Sequence, residues 1–261
     1  MPWFGSNRTL AHQVGIALAG KKHVTIPCCG GLSEVAEIKA KTILCNDLHR
    51  HVINVARCAA DPRIGPKFYR QCKRLVLHAD VLREAQETAR QELPGDGPDL
   101  RLAVAYFAAT WMGMNGLAGR PNELNSGLCL RRDAGGGDPA KRYQSAVHSL
   151  VAWRRLFARC TFSTLDMFDV IADAKDKEHC AIYIDPPFPT VGNYVFKFTT
   201  EQHKKLARML RGFEHTRIVC RFYDHPLIRK LYKRKYGWEW KFFEGRKTSN
   251  KVGPEILLVR N

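Results

Sequence analysis

The chain has 261 residues and a mass of 29.7 kDa, with 45% apolar and 26% charged residues. These proportions are those of a folded protein with a sizeable core, and they exclude a disordered chain, a collagen or a disulfide-stapled mini-protein. Lysine and arginine outnumber aspartate and glutamate by 42 to 25, a formal charge of +17 that concentrates polyanions, nucleic acid above all, near the surface.

No apolar run is long enough to span a bilayer, so no membrane association is expected. The N-terminal Met1-Pro2-Trp3-Phe4-Gly5 lacks the basic head and apolar stretch of a secretory signal. The nine cysteines are odd in number and scattered, with no Cys-x-x-Cys. Such spacing fits a reduced, cytoplasmic chain that uses cysteine as a small apolar residue, and no metal site is expected.

In chain order, His23-Val24-Thr25-Ile26-Pro27 reads as a short buried strand ending in Cys28-Cys29-Gly30-Gly31. Val35, Ala36 and Ile38 suit a following helix, and Thr42 to Asp47 a second strand. A helix is expected from about 49 to 58. Strand, glycine turn, helix, strand and acidic residue form the opening of a doubly wound α/β domain.

Helical patterns at 67–92 and 101–115 then break the alternation, with glycine-rich pieces after them, and a basic amphipathic helix covers roughly 139–159. Residues 61–159 are therefore read as an insertion. The alternation resumes with a strand at 180–184, a helix at 199–211 capped by Thr199 or Thr200, a strand at 217–222 and a helix at 226–236. Strands at 238–243 and 255–259 close the core, which comprises residues 1–60 and 160–261.

The sharpest motif is Asp185-Pro186-Pro187-Phe188, straight after a buried strand. A turn at the carboxyl end of such a strand points into the ligand crevice. Two prolines fix the backbone and remove two N–H donors. What remains is a carboxylate, carbonyls and an aromatic ring, a set that suits an exocyclic amine on a flat base. The Asp185 carboxylate and the Pro186 carbonyl can accept the two amine hydrogens while Phe188 stacks on the ring. Holding both hydrogens draws the nitrogen towards tetrahedral geometry and restores its nucleophilicity. An ordinary rigid turn after a strand is the plain alternative.

In this order the motifs resemble the Dam-like class of DNA adenine methyltransferases. Trp3-Phe4-Gly5-Ser6-Asn7 resembles that family's aromatic-x-Gly-Gly-Lys motif, Pro27-Cys28-Cys29-Gly30-Gly31-Leu32 its glycine loop and Asn46-Asp47-Leu48 the acidic end of its second strand. Ala105-Tyr106-Phe107 and Trp111 through Gly119 resemble part of its target-recognition insertion. Tyr183 through Phe188, with Tyr194, Phe198 and His203, follow its catalytic stretch, and Asn250 and Glu255-Ile256-Leu257-Leu258 its closing segment.

The resemblance implies a Rossmann-like methyltransferase sheet with a helical target-recognition insertion. The implied reaction is methyl transfer from S-adenosylmethionine to an adenine amine in DNA, as in restriction–modification. Adenine in RNA, the exocyclic amine of cytosine and a degenerate methyltransferase that binds DNA without turnover are the alternatives. Catalysis falls to Asp185, Pro186, Pro187 and Phe188. The cofactor falls to Trp3, Phe4, Gly5, Asn7, Pro27, Cys28, Gly30, Asp47, Asp166 and Asp185.

Asp47 suits the ribose hydroxyls or else a helix N-cap. Asp166 suits the cofactor's adenine or else a cap on a helix from Met167. Trp3 and Phe4 wall the cofactor or else pack a loose terminus. Ser6, Asn7, Ile26 and Cys28 depart from the family pattern. Asn7 replaces a lysine and removes a charge-assisted contact typically worth about 1.5–3 kcal/mol.

A base in a duplex must be extruded to reach this pocket, at a cost of a few kcal/mol that phosphate contacts offset. Residues 200–261 hold sixteen basic and six acidic residues, much of that charge expected on a solvated helix face. Asn115, Arg120, Asn122, Tyr194, Lys197, Lys247 and Asn250 are the expected DNA contacts. Asn and Arg are the side chains that read adenine and guanine bidentately, although Asn and Gly also serve simply as turn residues.

Overall fold

The computed structural model describes residues 8–114, 117–131, 137–189, 192, 194–246 and 252–261. Contacts divide the chain into two compact units, Gly5–Leu48 with Ser163–Asn261, and Met1–Phe4 with His49–Phe162. The helix after the second strand thus groups with the helical unit.

The α/β unit begins with α1 (Arg8–Ala17), then β1 (His23–Ile26) and β2 (Thr42–Asn46). After β3 (Cys160–Ser163), at the boundary of the units, come α7 (Met167–Asp173), β4 (Cys180–Ile184), α8 (Thr200–Arg211), β5 (Arg217–Tyr223), α9 (Pro226–Leu231), β6 (Glu239–Arg246) and β7 (Val252–Arg260). The sheet order is β3-β2-β1-β4-β5-β7-β6. β1 pairs in parallel with β2 and β4, β4 with β5, and β7 runs antiparallel between β5 and β6. This is a Rossmann-like, mostly parallel sheet. The order reverses at β1, whose neighbours leave on opposite sides, and the ligand crevice of such sheets opens there, beyond the carboxyl ends of the strands.

β4 is buried along its whole length, as its unbroken Cys-Ala-Ile-Tyr-Ile run requires of a central parallel strand. One layer of core joins Ile182 and Ile184 to Leu206 and Leu210 of α8, Cys220 and Phe222 of β5, and Ile256 and Leu258 of β7. Thr199 caps α8, accepting the Gln202 N–H while the Gln202 side chain returns to the Thr199 N–H.

Two local expectations are corrected, and one helix is added. The helix expected after Gly31 is only a single 3-10 turn, Ser33–Ala36, entered through Leu32 at φ 61°. The helix expected over 226–236 ends at Leu231, because Tyr232 leaves helical geometry to bury its ring edge-on against Trp238. Helix α1 was not anticipated, although Leu10, Ala11, Val14 and Leu18 recur at helical spacing and are buried.

The helical unit contains α2 (Arg50–Ala60), α3 (Gly65–Arg74), α4 (Ala79–Ala89), α5 (Leu100–Met112) and α6 (Pro139–Phe157). The helical pattern over 67–92 is realised as two helices, since His78 is extended and its ring accepts the Asp80 N–H to start α4. α5 is buried on almost every side, from Leu102 through Tyr106 and Phe107 to Met112. Asn54 pins α2 to the start of α5 with two reciprocal bonds to the Asp99 backbone, both 2.8 Å.

α5 stops at Gly113, where a Cβ would overlap the Ser126 hydroxyl and crowd the Ala109 carbonyl. Glu123 holds the loop that follows. It accepts hydrogen bonds from the Tyr106 hydroxyl at 2.9 Å and the Gly119 N–H at 2.6 Å, and it lies 2.8 Å from the His49 ring. Burial alone would raise its carboxyl. These partners instead draw it below the usual carboxylate range. No helix among the described residues is long and apolar enough to cross a membrane.

Candidate active site at the carboxyl edge of the sheet

Asp185 leaves the end of β4 with its side chain 20% exposed. Its Oδ2 accepts from Nη1 of Arg221 at 2.8 Å, and Nε of Arg221 donates to Oε2 of Glu255 at 2.9 Å. Arg221 and Glu255 are buried on β5 and β7. A carboxylate–guanidinium–carboxylate row therefore lies under the turn. Burial pushes the Asp185 carboxyl upward, and the Arg221 charge and hydrogen bond oppose it. Arg221 itself is held firmly protonated by its two carboxylates in spite of burial.

The glycine loop after β1 meets this turn. The Asp185 backbone N–H is directed at the Cys28 thiol, which burial and the charges of Asp185 and Asp47 push well upward. Cys28 is therefore a neutral thiol, not a nucleophile. Gly30 has φ +45°, a conformation that a side chain would strain, and its N–H donates to Oδ2 of Asp47 at 2.7 Å.

Asn46 is fully buried, and its amide binds this edge together. Nδ2 donates to the carbonyls of Pro27 and Leu165 at 2.8 and 2.9 Å, while Oδ1 accepts from the Ser163 hydroxyl and the Leu165 N–H at 2.8 Å each.

Glu34, on the 3-10 turn, is the unforeseen member of the site. It is only 7% exposed, and its carboxyl is pushed up to about 7 by burial and by the Asp185 charge, with Arg221 opposing. Asp185, Glu34 and Glu255 thus set three carboxyl groups around one guanidinium, and Asp47 lies on the neighbouring glycine loop, in a chain whose net charge is +17. Such a site favours a cationic ligand.

The aromatic expectations need adjustment. Phe188 is only 4% exposed, with Tyr223 edge-on at 4.5 Å and the Arg221 guanidinium 5.4 Å from its ring centre. In this state its ring belongs to the core and offers no open face to a base. Tyr194 stands beside it, half-buried, receiving the Phe188 N–H on its hydroxyl, and burial together with the Asp185 charge raises its phenol. Pro186 is buried and Pro187 half-buried.

The sequence-derived site residues thus divide. Pro27, Cys28, Gly30, Asp47, Asp185, Pro186, Pro187, Phe188 and Tyr194 are brought together by the sheet edge. Asp47 bonds the Gly30 turn and does not cap α2, whose N-cap is His49. Asp166 is exposed and caps α7 through the Phe168 N–H at 2.8 Å. Lys197 is exposed on the segment before α8, and Arg120 and Asn122 lie on the loop of the helical unit that Glu123 holds. Trp3, Phe4, Gly5, Asn7, Asn115, Lys247 and Asn250 lie outside the described residues.

Sequence reasoning missed the roles of Glu34, Arg221 and Glu255. One signal was available for Arg221, because a lone charge inside the apolar run Ile218–Phe222 must be paired when the strand is buried.

No protein-family model matches the chain, and neither does any curated protein. Among solved structures it is similar to the rRNA methyltransferase aviRa from Streptomyces viridochromogenes, at 14% identity and a TM-score of 0.40, over 98% of this chain and 84% of that one. It is also similar to the magnesium protoporphyrin IX methyltransferase ChlM from Synechocystis PCC 6803, which was solved with bound S-adenosylmethionine. That match has 12% identity and a TM-score of 0.38, over 97% of this chain and 79% of that one.

Proposed function

We propose that this protein is an S-adenosylmethionine-dependent methyltransferase acting on the exocyclic amine of adenine in DNA. The observation that carries the reading is the meeting of the Asp185 turn with the Cys28–Gly30 loop and Asp47 where the strand order reverses, in a carboxylate-rich site of a basic protein. S-adenosylmethionine, when bound, supplies an electrophilic methyl group on a sulfonium centre and adds an ammonium group.

The residues present fit that group. The Gly30 turn admits close approach of backbone to ligand, Asp47 stands where a carboxylate meets ribose hydroxyls, and Asp185 provides counter-charge. On the substrate side, the Asp185 carboxylate and the Pro186 carbonyl accept the two amine hydrogens and orient the nitrogen lone pair. Arg221 holds Asp185 by one oxygen and fixes its direction. Tyr194, less covered than Phe188, is the ring better placed to stack on a base.

The test is methylation of plasmid DNA with base-resolution mapping of the product. Asp185→Ala is expected to lower transfer by about 100-fold or more while leaving DNA affinity nearly unchanged. Near-wild-type transfer by that variant overturns the role of Asp185. Product nucleoside analysis separates adenine from cytosine, and the same assay on RNA separates the two nucleic acids.

A second reading, nucleic-acid binding without turnover, is favoured by the Arg221 bond on Asp185 and the covered ring of Phe188. It requires that S-adenosylmethionine fail to saturate the protein at millimolar concentration while DNA binding persists.

A further inference from the structure

A second recess on the same unit is lined by none of the residues of the Asp185 site. It is an open cleft of about 300 Å³ lined by Arg229, Lys233, Arg234, Trp240 and Phe242. Trp240 and Phe242 alternate on β6 and so project from one face of the sheet, with ring centres 6.1 Å apart and planes inclined by 31°. Trp240 is anchored, its Nε1 donating to the Tyr232 carbonyl at 2.8 Å. Phe242 is 54% exposed, an unusual position for a large ring beside three cations.

Arg229 is held by two hydrogen bonds to Asp224, each 2.6 Å, with its guanidinium 6.0 Å from the Trp240 ring centre. Lys233 and Arg234 are exposed, and among the described residues no carboxylate pairs with either. Solvated helix charge alone would not place cations around two rings.

We infer that this cleft binds one unpaired nucleotide of a nucleic-acid strand, its base stacked on Phe242 and Trp240 and its phosphates on Lys233 and Arg234. Aromatic faces and unpaired cations are the two parts of a single-strand site, because every base has a π-face and every linkage a negative charge. Arg229, already neutralised by Asp224, serves as a wall.

The inference extends the nucleic-acid reading above. It is measured by binding without any methyl donor, so failure of transfer and failure of this cleft are separate results.

The experiment is fluorescence anisotropy with a labelled single strand of twelve deoxythymidines, beside an abasic strand of equal charge and length. The wild type is expected to prefer the strand with bases. Phe242→Ala, a change at an exposed ring, is expected to weaken binding of that strand by about 5- to 100-fold and to remove the preference. The double variant Lys233→Gln/Arg234→Gln is expected to reduce the slope of log K against log salt by about 1.4, near 0.7 for each charge removed. Equal affinity for the two strands, or an unchanged preference in Phe242→Ala, overturns the inference and leaves only a basic surface.

Discussion

Arg221 joins two strands through its ends: Nη1 lies 2.8 Å from Asp185 beyond β4, and Nε 2.9 Å from Glu255 on β7. Removing the guanidinium strands two carboxylates, one fully buried and one mostly so. Arg221→Leu is therefore expected to lose about 3–5 kcal/mol of stability, read by urea unfolding. Adding Glu255→Leu to it should recover part of that loss, since the deeper unpaired charge goes with it. An Arg221→Leu variant as stable as the wild type contradicts the placement of this row.

Glu34 predicts a loss of stability towards alkaline pH. Its folded pKa, about 7, lies above the ordinary glutamate value of 4.5, so the folded state holds the proton more tightly. The stabilisation is complete below about 4.5 and is lost as pH rises through 7. The swing is roughly 3 kcal/mol. Glu34→Gln keeps the neutral form at every pH, and its unfolding free energy should lack this fall between pH 5 and 8. Parallel profiles for the two proteins would remove Glu34 from the account.

His203 predicts the opposite trend on the acid side. It is 1% exposed and packed edge-on against Phe198, and among the described residues neither ring nitrogen has a hydrogen-bond partner. Burial lowers its pKa from 6.5 to about 4. The unfolded chain takes up the proton first, so this stability is present above 6.5 and is lost as pH falls towards 4. At pH 5 the loss is about 2 kcal/mol. His203→Leu should be less sensitive than the wild type between pH 7 and 5, measured by denaturant midpoints.

Gly113 predicts a coupled pair. Gly113→Ala drives a methyl into the Ser126 hydroxyl, and a loss of about 1–3 kcal/mol is expected. Ser126→Gly in the same chain should restore part of it, while the Ala109 carbonyl still crowds the site. A double-mutant cycle with no coupling energy would contradict this contact.

Six of the seven strands were legible because they carry their own signals; the short edge strand β3 was not, its four residues being only partly buried. Cys180–Ile184 is an unbroken apolar run, and Asp185-Pro186 can only end it. The helices of the insertion were legible as helices but not in number, since nothing local in Leu75–His78 marks a break as glycine or proline would. At the site, the motifs located the loops but not the partners of their side chains. That Arg221 would cover Phe188 and grip Asp185 depends on the register of β5 with β7, which pairs Tyr223 with Glu255 across positions distant in sequence. Glu34 was hidden for a related reason. Its apolar neighbours Val35 and Ile38 fit a helix as well as they fit the single turn that turns the carboxyl inward.

The four bonds of the Asn46 amide leave little slack between Pro27, Ser163 and Leu165. A guest pressing on the glycine loop cannot displace it alone, because the chain leaving β3 is tied to the same side chain. Discrimination between guests at this edge should therefore rest on a shape set before arrival.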